Sequence, residues 1–105
     1  MSEYTFDDWK KLIEEKLPIV NTTTDDEERF WSALKISDLS SRVFHSNYLT
    51  GEFHGEFMHF ILLLGGDAEY LKNPNHDNLE FFLEMFNKDL CLMIDFFERT
   101  YPKNK

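Results

Sequence analysis

The chain has 105 residues, and twenty acidic against eleven basic side chains give it a formal net charge of −9. That balance argues against binding DNA, RNA or an anionic membrane through phosphate contacts, which need clustered Lys and Arg. A chain of this size forms one domain that buries about two-thirds of its unfolded surface. Its eleven Phe supply apolar area enough for a core without disulfide or metal.

Cys91 is alone, so no internal bridge can form, which suits a reducing cytoplasm. Residues 1–17 carry Glu3, Asp7, Asp8, Glu14 and Glu15, where a signal peptide would need a basic start and an apolar block. A cytoplasmic location is therefore expected.

Residues 1–4 are expected to be loose. Thr5 reads as a helix N-cap, with Asp8 three residues on in a capping-box position. Phe6, Trp9, Ile13 and Leu17, with Leu12 beside them, form one apolar stripe, and Pro18 is expected to stop this helix. Residues 19–23 read as a connector. Thr24-Asp25-Asp26-Glu27 then forms a second capping box ahead of Phe30, Trp31 and Leu34. Over 36–50, either Ser37 caps a third helix or the second continues. The Ser40-Ser41 and Ser46-Asn47 pairs are poor helix formers, and Thr50-Gly51 reads as a turn.

The most apolar stretch runs from Phe57 to Leu64 without a charge. At eight residues it falls far below the roughly 20 needed to cross a bilayer. Phe53, Phe57, Phe60, Ile61 and Leu64 recur at helical spacing, and Met58 and Leu62 fill a neighbouring stripe. A helix apolar around most of its circumference is expected to be enclosed by others. Gly65-Gly66 reads as its left-handed C-terminus. Gly55, inside the helix at about 1 kcal/mol relative to Ala, reads as a point of close helix approach or as room for a ligand.

Residues 67–72 read as a single turn capped by Asp67, and Asn73-Pro74-Asn75 breaks it. From residue 77 or 78 to Thr100, Leu79, Phe82, Phe86, Leu90, Met93, Phe97 and Tyr101 keep a 3–4 spacing. Phe81, Met85, Leu92 and Phe96 broaden the stripe. Asn87-Lys88-Asp89 marks a kink or a break, one long helix is favoured, and Pro102 is expected to end it. The fold class read from these patterns is all-α: a compact single-domain bundle of five to six helices around a buried central helix at about 52–64. Residues 103–105 complete it as a loose tail.

The residues offer little for catalysis. Glu56 and His59 stand at the Glu-x-x-His spacing of carboxylate-bridged di-iron bundles, but such a site needs the pair twice, and no second one exists. His54 and His59 are five apart, where a metal-binding helix prefers four. The structural alternative puts His59 at a polar gap in the core and His54 at the rim. Cys91, between Leu90 and Leu92 on an acidic helix, reads as an inert small hydrophobe. No phosphate-binding or nucleophile-elbow motif is present. No catalytic residue, metal ligand or cofactor is assigned, and a non-enzymatic role is expected. Met58, Met85 and Met93 could line a pocket, although at helical spacing they read first as core.

The acidic surface favours a basic partner or plain solubility. Length, charge and expected helicity over the whole chain are similar to those of the small acidic helical immunity proteins that neutralise bacterial toxins, including those of contact-dependent growth inhibition. The resemblance implies a cytoplasmic protein that covers the active site of a basic, nuclease-type toxin. On that reading the acidic contacts are Asp25, Asp26, Glu27 and Glu28, then Asp67 and Glu69, with Tyr48 and Tyr70 as aromatic contacts beside turns. The same four acids have a structural explanation, as stabilisers of a helix N-terminus. The alternative function is a structural or regulatory helical module that associates through an apolar face of the C-terminal helix.

Overall fold

The computed structural model describes the backbone of residues 5–47, 54–72 and 77–104, and the side chains of 5–45, 55–72 and 77–100. Among these residues are four α-helices: α1 (Phe6–Thr22), α2 (Asp26–Asn47), α3 (His54–Tyr70) and α4 (Leu79–Asn104). The described residues are all-α, as read from the sequence, but the five to six expected helices reduce among them to these four. The looseness of 1–4, the Thr50-Gly51 turn, the break at 73–75, and Tyr48 and Lys105 lie outside the described residues.

The difference in number has one physical source: residues read as breakers sit inside helices whose next turn is buried. α1 continues through Pro18, because Val20 beyond it is completely buried while Pro18 itself faces solvent. The helix can open on that side, and the Thr22 hydroxyl donates to the Pro18 carbonyl at 2.7 Å. α2 absorbs its serines in the same way. Ser40 is fully buried, donates its hydroxyl to the Ile36 carbonyl at 2.7 Å and accepts the Trp9 indole N–H at 2.7 Å. α3 runs through Gly65-Gly66, because Ala68 at 0% exposure and Asp67 at 4% bury the following turn. A Cβ at Gly65 would meet Ser37 Oγ of α2 at 3.7 Å, ordinary contact, and among the described residues nothing lies within 4 Å of one at Gly55 or Gly66. No described helix approaches Gly55 closely. α4 is one helix, as favoured, and continues past Pro102 to Asn104 rather than ending there.

The helices run alternately up and down. Trp9 meets Ser40, Phe44 stacks on Phe57, and Phe60 and Tyr70 lie against Phe96 and Phe82, so each helix is antiparallel to the one before. The ring closes between α1 and α4. There Phe6 stacks on Phe97 with centroids 4.4 Å apart, and Asn21 and Asn87 exchange amide hydrogen bonds of 3.0 and 2.7 Å. Trp9, Ile13, Val20, Ala33, Ile36, Val43, Phe57, Leu64, Phe86, Leu90, Met93 and Phe97 fill the interior.

A four-helix ring has no central position, and this overturns the expectation that the 52–64 helix is enclosed. α3 buries Phe57, Leu64 and Ala68, but Met58, Leu62 and Leu63 remain 42, 70 and 38% exposed. On α4 the second stripe is likewise mixed: Phe96 is buried, whereas Phe81 and Leu92 are exposed.

The caps show how local signals fared. Thr5 and Asp8 form the expected capping box, with reciprocal bonds of 3.1 and 3.4 Å. At α2 the cap moves from Thr24 to Asp25, whose Oδ1 accepts the Glu27 and Glu28 amides at 3.0 and 3.3 Å. Asp is the stronger cap of the two. Replacing Asp25 by Ala should lower stability by about 1 kcal/mol, read as a shift in the urea midpoint. An unchanged midpoint would show that the cap contributes nothing.

Candidate functional site

Three helices place acidic side chains at one end of the bundle. The α1–α2 turn and the start of α2 bring exposed Asp25, Glu27 and Glu28. The last turn of α3 brings exposed Glu69, and the approach to α4 brings exposed Asp77 and Glu80. Lys72 at the end of α3 sits over the Phe30 ring of α2 at 5.8 Å, and Tyr70 stacks on Phe82 of α4 at 5.1 Å. These contacts fix the three helix ends beside one another.

The turn that carries the first group of acids is held from inside. Arg29 is 4% exposed. Its guanidinium pairs with Asp26 through Nη1 and donates through Nη2 to the Thr23 carbonyl at 2.6 Å, while the Thr23 hydroxyl donates to Glu28 Oε1 at 2.6 Å. Asp26 is thus half-buried and engaged, Asp25 caps the helix, and Glu27 projects outward. The structural role of this acidic run and an exposed acidic surface coexist: Asp25 and Glu28 take part in both, whereas among the described residues Glu27 makes no contact within the turn beyond its backbone.

Of the aromatic contacts expected beside turns, Tyr70 is exposed at this end and Tyr48 lies outside the described residues. Asp67 is not at the surface. It is 4% exposed between α3 and α4, hydrogen-bonded to Asp89, with Oδ2 buried and, among the described residues, without a partner. Burial, then the hydrogen bond and negative charge of Asp89, push its carboxyl up to about 8 from an ordinary 3.8. Asp67 therefore holds a proton at neutral pH and adds no charge to the outer surface. Its place as an acidic contact is corrected: the residue sits one turn inside the exposed end of α3.

Sequence reasoning missed Trp31. Named only with Phe30 and Leu34 as following the capping box, it is 51% exposed, whereas Phe30 is 8%. A signal was available. The stripe Ala33, Ile36, Ser40 and Val43 sets the inner face of α2, and Trp31, five residues before Ile36, falls almost opposite it. A groove on one side of the indole is lined by Asp26, Glu27, Phe30, Trp31 and Lys72, and one on the other side by Leu34, Lys35 and Asp38.

The remaining chemistry-bearing residues do not converge. Glu56 and His59 are both exposed, so His59 fills no gap in the core, and the His54 side chain lies outside the described residues. Among the described residues, no three His, Cys, Asp or Glu side chains gather so as to hold a metal ion. Cys91 is exposed on α4 rather than packed as a small hydrophobe. Met93 is buried in the core and Met85 partly so, whereas Met58 is exposed. No helix among the described residues is long and apolar enough to cross a membrane. In comparisons with known proteins, no family model, curated protein or solved structure matches this chain.

Proposed function

We propose that this chain is a non-enzymatic binding protein of the cytoplasm. In this reading it is an immunity protein that neutralises a basic, nuclease-type toxin by covering the toxin's active site with acidic surface. The observation that supports this reading is the gathering of exposed Asp25, Glu27, Glu28, Glu69, Asp77 and Glu80 from three helices at one end of the bundle. Those carboxylates would stand where substrate phosphates otherwise bind, speeding encounter and making association salt-sensitive. Apolar and aromatic groups beside them would hold the complex together.

A tagged copy used as bait in host lysate should capture a basic protein at about 50 mM salt and lose most of it by about 200 mM. The captured protein should have a nuclease activity that one equivalent of this chain abolishes. Recovery of neutral or acidic partners alone would overturn the proposal. A second reading is favoured by exposed Phe81 and Leu92 on α4: a structural or regulatory module that associates through an apolar face of the C-terminal helix. That association would be nearly insensitive to the same change in salt.

A further inference from the structure

We infer that Trp31 and the groove between α2 and the end of α3 form a guanidinium cradle, into which a basic protein partner inserts an arginine side chain. The inference deepens the proposed function and rests on it, since it names the group of the partner that the acidic end receives.

The cradle is built from two kinds of surface. Trp31, 51% exposed, supplies the aromatic face and exposed Glu27 the carboxylate; buried Phe30 and Asp26, already paired with Arg29, complete the lining of the same groove. A guanidinium is the group that satisfies both at once, because it stacks on a ring and donates in-plane to carboxylates. Tryptophan gives the strongest of the cation–ring attractions. Its position also needs explaining: a tryptophan half in water forgoes much of the burial that normally places it in a core, and such residues recur as anchors of protein interfaces.

The molecule itself supplies a stand-in. Lys72, the one basic side chain among the described residues that line this groove, holds its ammonium 5.8 Å from the Phe30 ring. The groove therefore already attracts a cation from its own chain, on a flexible and exposed stem that an incoming arginine can displace. Lys72 competes with the partner rather than helping it.

Oligo-arginine and oligo-lysine peptides of equal length, titrated at low salt and followed by calorimetry, test the cradle. Trp31→Ala is expected to weaken oligo-arginine binding about tenfold and oligo-lysine binding less than about twofold. Far-UV circular dichroism should be unchanged, since the replaced ring lies outside the core. Lys72→Gln should strengthen oligo-arginine binding about threefold, a gain that misfolding cannot mimic. Equal oligo-arginine affinity of wild type and Trp31→Ala, or no gain on Lys72→Gln, overturns the cradle and leaves the acidic-surface reading standing. If neither peptide binds the wild type at low salt, that reading fails as well.

Discussion

Phe57→Ala is expected to destabilise the protein by about 3–5 kcal/mol, the largest single effect that a side-chain truncation on α3 should produce. Phe57 is completely buried where three helices meet. Its ring stacks on Phe44 of α2 at 5.4 Å and approaches Phe96 and Phe97 of α4 at 5.9 and 5.7 Å. Removing it takes away the transfer free energy of a large side chain and leaves a void that rings fixed on two other helices cannot close. Against a total stability of about 5–15 kcal/mol, the loss would lower the urea midpoint steeply. Leu62→Ala on the same helix is the comparison. Leu62 is 70% exposed, and its truncation should change stability by no more than about 0.5 kcal/mol. Equal costs at the two positions would contradict the placement of α3 in a ring with one face in water.

The second large effect is a dependence on pH that one substitution removes. Asp67 titrates at about 8 in the folded protein and near 3.8 when exposed. Between those values the native state keeps a proton that the unfolded chain has released. Folding stability therefore falls as pH rises through this window and levels off above about pH 8. One retained proton gives a slope of about 1.4 kcal/mol per pH unit at most. In Asp67→Asn the amide still donates to Asp89 and has nothing to ionise, so this slope should vanish. The variant should then be more stable than wild type at pH 8, by an amount on the order of a few kcal/mol. Urea unfolding at several pH values from about 5 to 8.5 measures both slopes. Parallel lines for wild type and variant would show that Asp67 ionises without strain, and that its partnership with Asp89 is not the source of the effect.

Signals confined to a few residues of sequence were legible. The Thr5–Asp8 capping box formed as read, because donor and acceptor lie within one turn. The stripes Trp9–Ile13 and Phe86–Leu90–Met93–Phe97 reached the core, because helical periodicity alone fixes which side they share. What failed was every inference that needed the neighbours. Pro18, Ser40 and Gly65-Gly66 carry local preferences worth at most a few kcal/mol, and burial of Val20, Trp9 and Ala68 just beyond or beside them outweighs those preferences. Apolar density along 57–64 could not reveal that a ring of helices leaves each of them an outer face. The candidate site divided along the same line. Charge at the start of α2 was visible in the sequence, and so was the outward turn of Trp31 from the stripe of α2, whereas the depth of Asp67 depends on which helix faces which.

The two tryptophans occupy opposite environments, one sealed at 0% exposure and bonded to Ser40, the other 51% in solvent. A sealed indole emits at shorter wavelength than a hydrated one and is shielded from dissolved quenchers. The molecule thus carries a pair of intrinsic optical reporters that need no label: Trp9 emission tracks loss of the fold, and Trp31 emission tracks what arrives at the surface. Unfolding and docking can be followed separately within a single fluorescence spectrum.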